Sequence, residues 1–357
     1  MRQLRSKTSL LAAVAVVLAI SSCKNKDDMP TAEKNIDYPA AYVINGESSS
    51  ISVIKLSTNT VTDSIELMGI GSNMIMWPHH VSYHAGTNMK HLAIGVPGMD
   101  FSGGHTGTTG GMTGNLLVVN AVNGSIVKSM ALPLMNHNTA YSPSGTEIWV
   151  PQMDMDGKVL VYDAITYALK NTITVGMMPA ELTFSADGTK AYVANGDDDN
   201  VSVINVSTKA VVATVNVGDN PVGAWTGSDG RMYVDNEDGQ SISVINVTTD
   251  VVDQTIALGF MPGIAAHNGI KKELWVSDPM NGKVHYWTWD AGMNMWMHGG
   301  VFDTGAGAHA IAFTTDGNTA YVTNQLGQSV SVINVATHTK IKDIVVGKKP
   351  NGIVLKY

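Results

Sequence analysis

The chain has 357 residues, of which 44% are hydrophobic, with a formal net charge of -8 and a single cysteine. The acidic balance excludes nucleic acid as a partner, because phosphate recognition needs a basic footprint. One cysteine excludes disulfides within the chain and thiolate metal sites, so the fold must rest on buried apolar surface.

At the N-terminus, Arg2, Arg5 and Lys7 precede an apolar run from Leu10 to Ile20 that is too short to span a bilayer. Residues 1–22 therefore read as a processing signal. The run ends in Ile20-Ser21-Ser22-Cys23, which resembles a bacterial lipobox, so Cys23 is expected to carry the lipid and become the mature N-terminus. The alternative is an ordinary secretory peptide followed by a stray cysteine. Lys24 rather than an aspartate follows, and Lys26-Asp27-Asp28 is similar to signals that send lipoproteins to the outer leaflet. The expected location is the cell envelope, as an outer-membrane lipoprotein, periplasmic or surface-exposed. Residues 23–40 carry charge, Pro30 and Pro39 without periodicity and read as a flexible tether. Residues 41–357 hold no second long apolar stretch and read as one soluble body, expected to be monomeric.

That body repeats itself. Ala191-Tyr192-Val193-Ala194-Asn195, Met232-Tyr233-Val234-Asp235-Asn236 and Ala320-Tyr321-Val322-Thr323-Asn324 each lead into a Val-Ile-Asn-Val segment. The spacing, about 40 to 45 residues, is that of propeller blades. Degenerate copies stand at Tyr42-Val43-Ile44-Asn45, Leu92-Ala93-Ile94-Gly95, Ile148-Trp149-Val150-Pro151 and Leu274-Trp275-Val276-Ser277, which makes seven units. Alternating apolar and polar residues, rich in Val, Ile and Thr and punctuated by turns such as Asp187-Gly188 and Asp316-Gly317, predict four-stranded antiparallel meanders. The fold expected is all-β, a seven-bladed β-propeller. The repeat begins at a second strand near Tyr42 and ends with a lone first strand, Gly352 to Tyr357, so the last strand should complete the first blade and leave no open edge. Trp149, Tyr192, Tyr233, Trp275 and Tyr321 lie in the repeated strand and read as packing between blades.

The Tyr321-Val322-Thr323-Asn324 run is the literal signature of the YVTN repeat, and nearly all of residues 41–357 resembles that family of β-propellers. The resemblance implies the architecture. The family includes surface-layer and cell-surface proteins, and related propellers occur in nitrous oxide reductase, haem nitrite reductases, amine dehydrogenase heavy chains and lactonases, so it leaves the function open.

In such a ring, the segments leading into the inner strands and the loops between second and third strands share one face, termed the top. The lead-in segments are Trp77-Pro78-His79-His80, Asn136-His137-Asn138, Pro179-Ala180-Glu181, Pro221-Val222-Gly223, Pro262-Gly263-Ile264, Ala308-His309-Ala310 and Pro350-Asn351-Gly352. Equivalent places lie at similar radii, so His79, His137 and His309 should converge on the channel mouth, with His80 and Glu181 one position deeper. Imidazole suits copper, zinc, iron and nickel alike. Met68, Met74, Met76, Met99, Met112, Met135, Met153, Met155, Met177, Met178, Met261 and Met280 all fall in top loops, and thioether favours Cu(I) where thiolates are missing. The longest top loop, Pro97 to Asn115, joins Met99, His105 and Met112 with many glycines and is expected to fold over the mouth as a lid. Met293, Met295, Met297 and His298 should lie in a hairpin on the opposite face, as a separate cluster. His84, His91, His267, His285 and His338 read as structural, and Asp197-Asp198-Asp199 as a solvated turn rather than a calcium loop.

These residues support three functions. The first is a metal-binding envelope protein, with copper as the expected ion, exchanging it with a donor or acceptor partner. The adjacent pair His79-His80, with single histidines from other blades, is similar to the histidine-only copper cluster of nitrous oxide reductase, although the second copper domain of that enzyme has no counterpart here. The second is a non-catalytic module whose methionine-rich loops grip an envelope protein or other ligand. The third is a metal-dependent enzyme with its active site at the channel mouth and Glu181 as the acidic candidate for a base.

Overall fold

Branched side chains suit a pleated surface packed on both faces, and the chain is extended almost throughout. A computed structural model describes residues 34–67, 75–86, 89–105 and 112–357. The leader, Cys23, most of the tether, Met68, Met74 and residues 106–111 of the long top loop lie outside the described residues. The described residues form 28 strands in seven four-stranded antiparallel sheets. The inner strands of successive sheets pack side by side and close a ring. Among the described residues the one helical element is a short 3-10 turn, Gly196–Asp198.

Blades are numbered from the N-terminus. Blade 1 comprises Ala40–Asn45, Ser50–Lys55 and Thr60–Glu66, with Pro350–Lys356 as its inner strand. Blade 2 begins with Val81–Ala85, blade 3 with Ala140–Tyr141, blade 4 with Pro179–Phe184, blade 5 with Pro221–Thr226, blade 6 with Ala265–Asn268 and blade 7 with Ala308–Phe313. The alternation expected from the sequence gives way to a gradient. Second strands such as Ala40–Asn45 are buried at every residue, whereas outer strands such as Thr60–Glu66 are mostly exposed. Each blade lies between two others, so its central strands bury both faces and only the rim meets water. Trp149, Tyr192, Tyr233, Trp275 and Tyr321 are among these fully buried side chains.

The asparagine of the repeat has a defined physical task. Asn236 donates from Nδ2 to Ser241 and Ser243 at 3.0 Å and accepts the Gly218 N–H at 3.1 Å. Asn324 makes the same set with Ser329, Ser331 and the Gly305 N–H. The glycines matter because a Cβ on Gly218 or Gly305 would lie 2.7 or 2.6 Å from the asparagine amide. Each lock thus ties the chain arriving from the previous blade to the second and third strands of its own, at the top face.

Closure follows the sequence expectation. Pro350–Lys356 pairs with Ala40–Asn45 from Lys356 opposite Ala40 to Pro350 opposite Asn45. The buried Lys356 ammonium donates to the carbonyls of Ile36 and Tyr38 at 2.9 and 2.8 Å, and Tyr321 of blade 7 donates to Asn59 of blade 1 at 2.6 Å. Removing residues 348–357 should therefore expose the edge of Ala40–Asn45 and free Ile36. The expected outcome is loss of cooperative melting, or a fall in Tm of about 10 °C or more. Unchanged melting of the truncated protein would contradict the closure.

Candidate metal centre

The lead-in segments share a backbone device. Trp77, Met178, Asn220 and Lys349 all have φ between 50° and 53°, in the left-handed region, and each precedes a proline. This turn aims the next residues down the channel wall. Where the histidines enter, neighbouring strands carry glycine: a Cβ on Gly95 would lie 2.6 Å from the His137 carbonyl, and one on Gly352 would lie 2.7 Å from that of His79. The same backbones hold one another, since His79 N–H donates to Gly95 O at 2.9 Å and Gly352 N–H to His79 O at 3.1 Å.

Register brings the expected residues together. His79 and His80 lead into blade 2, His137 into blade 3, while Glu181 and His309 lie in the inner strands of blades 4 and 7. The ring of His79 lies 4.4 Å from that of His80, 4.3 Å from His137 and 5.6 Å from His309. Two donor groups, His79/His80/His309 and His80/His137/Glu181, each gather their ligand atoms within 4.8 Å. His105, from the long loop of blade 2, adds a fifth imidazole, its Nε2 2.8 Å from His137 Nε2. His79, His137 and Glu181 are fully buried, and His80 and His309 are buried with 8% and 7% exposure.

Two carboxylates flank the cluster. Glu181 Oε1 lies 2.9 Å from His137 Nδ1 and 3.2 Å from His80 Nε2, and its other oxygen accepts from Asn138 Nδ2 at 2.7 Å. Glu237 accepts from the His105 N–H at 3.0 Å and lies 3.2 Å from its Nδ1. A continuous path runs from Glu181 through His137 and His105 to Glu237. Its two central nitrogens, both acceptors if unprotonated, require a proton or a cation between them. Without a cation, every link is satisfied with one proton on either carboxyl; burial favours Glu181, which then donates to His137 Nδ1, while His137 donates through Nε2 to His105 and His105 through Nδ1 to Glu237. The electrostatics agree. Burial, aided by Asp235, pushes Glu181 well above the usual carboxylate range. Burial also works to raise Glu237, but the hydrogen bonds and charge of His105 leave it below its ordinary value. With a cation, both Nδ1–H groups turn to the carboxylates and both Nε2 atoms face the ion, the arrangement that orients histidine ligands in metal proteins.

His79 supplies an independent sign. Neither of its ring nitrogens has a hydrogen-bond partner, and His309 Nδ1 has none either. A buried imidazole in that condition forfeits on the order of 1 to 3 kcal/mol per unmet group. An ion among the rings would satisfy them.

The methionines fall in different places. Met99 packs beside Phe101, Met135, Met153, Ala180 and Val222 in an apolar cluster, and Met112 is 40% exposed. Met261 and Met280 line a cavity of about 70 Å³ together with His105, Glu237 and His309. Met293 lies in the turn of the hairpin between the third and fourth strands of blade 6, and Met295, Met297 and His298 lie on its outer strand, Met295–Asp303. His338 stacks on Tyr286 at 3.8 Å, and Asp198 and Asp199 accept backbone N–H groups of Met177 and Asn220. Sequence reasoning passed over Phe101, Asn138, Trp225, Asp235 and Glu237. Asp235 buries its carboxyl against the Trp225 and Gly223 N–H groups. Its signal was present, as the equivalent places in neighbouring repeats hold Ala194 and Thr323.

Beneath the imidazoles the channel widens into a cavity of about 450 Å³, whose upper wall includes His80, Asn138, Glu181 and Trp225.

No family model matches the sequence, and no curated protein matches it either. Solved structures do. A functionally unknown protein from Desulfotomaculum acetoxidans has a TM-score of 0.70 at 10% identity, covering 89% of this chain and 99% of the other. The periplasmic gluconolactonase of Pseudomonas aeruginosa has 0.68 at 13% identity, with coverage of 89% and 99%. A putative 6-phosphogluconolactonase from Bacteroides fragilis has 0.68 at 16% identity, covering 90% and 99%. At these identities the likeness is one of fold.

Burial makes the imidazoles hard to protonate. It is the main cause that holds His79, His80 and His137 well below the ordinary histidine value, and with His105 it brings His309 to about 4. A depressed histidine favours the folded state above its unfolded pKa of about 6.5, and that stability is lost as pH falls toward the folded value. A His309→Asn variant has no such group to charge. In metal-free protein, the Tm advantage of the parent over this variant should therefore shrink between pH 6.5 and about 4. A pH-independent difference in circular-dichroism melts would count against a buried neutral His309.

Proposed function

We propose that this protein is a cell-envelope metal-binding propeller, with copper held by imidazoles at the top of the channel. The observation that carries this reading is His79, a fully buried ring with two unpartnered nitrogens, set among three other histidines. His105 and His137 support copper in particular. At a metal–nitrogen distance of about 2.0 Å, nitrogens 2.8 Å apart subtend roughly 90°, the angle of a tetragonal rather than a tetrahedral ion. Glu181 and Glu237 would orient the two ligands, and Met261 and Met280 would offer thioethers on the exchange side. Any electron transfer at the site would need another protein, because the sequence holds no haem-attachment Cys-x-x-Cys-His motif.

The leader and Cys23 support a lipid anchor in the envelope, and the Tyr-Val-Thr-Asn repeat supports kinship with surface-layer propellers. A metal-dependent enzyme is the second reading. It is favoured by His80 and Glu181, which belong to both the imidazole cluster and the wall of the 450 Å³ cavity, and by the gluconolactonases among the fold neighbours. A surface module that grips a partner without metal is the alternative that a silent titration would leave.

Purified protein should contain copper by elemental analysis and take up Cu(II) more tightly than Zn(II). A His79→Ala/His137→Ala/His309→Ala variant that still melts cooperatively should lose at least 100-fold in affinity, about 2.7 kcal/mol. Equal uptake by parent and variant would remove the site, and no uptake by either would remove the function. Separately, Cys23→Ala should move the protein from the membrane fraction to the soluble envelope fraction, and unchanged partitioning would end the anchor reading.

A further inference from the structure

The cavity below the imidazoles has two unlike sides. One side, from blades 2 and 3, carries His80, Ser82 and Thr139; the other, from blades 4 to 7, carries Phe184, Trp225 and Phe313. Thr139 is 2% exposed, and its hydroxyl has no hydrogen-bond partner although it borders the cavity. Ser82 Oγ accepts the Tyr141 N–H at 3.3 Å, which leaves its own hydrogen free to donate. Thr183 also borders the space, but its hydroxyl is spent on Ala224 O. His80, Ser82 and Thr139 thus gather hydrogen-bonding capacity on one arc, while on the other the His267 ring is held through Nδ1 by the Ser228 N–H and leaves only its Nε2 without a hydrogen bond. On the other arc, the Trp225 indole N–H is taken by Asp235, so Trp225 offers ring carbon rather than a donor.

The lining also says what charge would be accepted. It includes no lysine, arginine or aspartate. Its one carboxylate, Glu181, has both oxygens engaged, by His137 and His80 on one and Asn138 on the other. An anion would meet no cation there and a cation no free carboxylate, so either would be desolvated without compensation. At about 450 Å³ the space falls within the range of small-ligand sites.

We infer that this cavity is a binding chamber for an uncharged aromatic alcohol, whose hydroxyls meet Thr139 and Ser82 and whose ring lies against Phe184, Trp225 and Phe313. The chamber needs no metal to bind such a molecule, so it stands apart from the copper reading and is tested in metal-free protein.

The probe is resorcinol, an uncharged aromatic diol that does not chelate, followed by calorimetry and by quenching of tryptophan fluorescence. The expected result is one saturable site, with benzoate at least tenfold weaker. Thr139→Val, which keeps shape and removes the hydroxyl, should weaken resorcinol about tenfold, the worth of one good hydrogen bond. Thr226→Trp, an exposed lining position lower in the channel, should fill the space and abolish binding. Both variants are compared at unchanged melting. Absence of saturable binding by the parent would mean that the cavity holds water only, and parental affinity in both variants would mean that the probe sits elsewhere. Either result overturns the chamber. Copper uptake by the Thr226→Trp variant reads the metal site independently, since that substitution lies away from the imidazoles.

Discussion

The structure depends on the lock made by an asparagine amide at the top of a second strand. In water such an amide has no preference for any partner. Buried between blades, Asn236 and Asn324 must satisfy their donors and acceptors locally, and the only groups in reach belong to the third strand and to the chain arriving from the previous blade. The radial position of each lead-in segment is set by this requirement. Because the locks fix the segments, the residue two or three places later is fixed as well, and side chains far apart in sequence come to share one mouth.

In two of the blades that carry the cluster, blades 2 and 3, that lock is altered, whereas blade 7, which carries His309, keeps it at Asn324. Blade 2 ends its second strand with Gly95-Val96 and blade 3 with Pro151-Gln152. Val96 stands at the asparagine place of blade 2 and Gln152 at that of blade 3, where Gln152 accepts the Leu134 N–H in the asparagine's stead. These departures from the repeat coincide with the His79, His80 and His137 segments, and such departures are expected at functional or strained positions.

The ring, the number of blades and the closure were legible in the sequence because period and turn punctuation are local signals that tertiary context does not override. The convergence of His79, His80, His137, His309 and Glu181 was legible for a related reason: equivalent positions in a repeat have equivalent radii. What could not be read was orientation. Nothing in the spacing of His105 and Glu237, 132 residues apart, says that one backs the other, because the loop carrying His105 has no repeat to register it. The methionines show the same limit. Composition placed them on one face, but only packing distinguishes Met135, buried under Phe101, from Met261 beside the imidazoles.

The ends of the ring carry one more consequence. Ile36 hydrogen-bonds to Val122 in a turn on the face opposite the imidazoles, and Lys356 holds the Ile36 and Tyr38 carbonyls at that same rim. Ile36 and Tyr38 are therefore both tied to the underside of the ring. A load applied at Ile36 would be borne by the pairing of Ala40–Asn45 with the last strand, acting lengthwise along several hydrogen bonds at once rather than opening them singly. The mouth with its imidazoles lies at the other end of the channel from that rim.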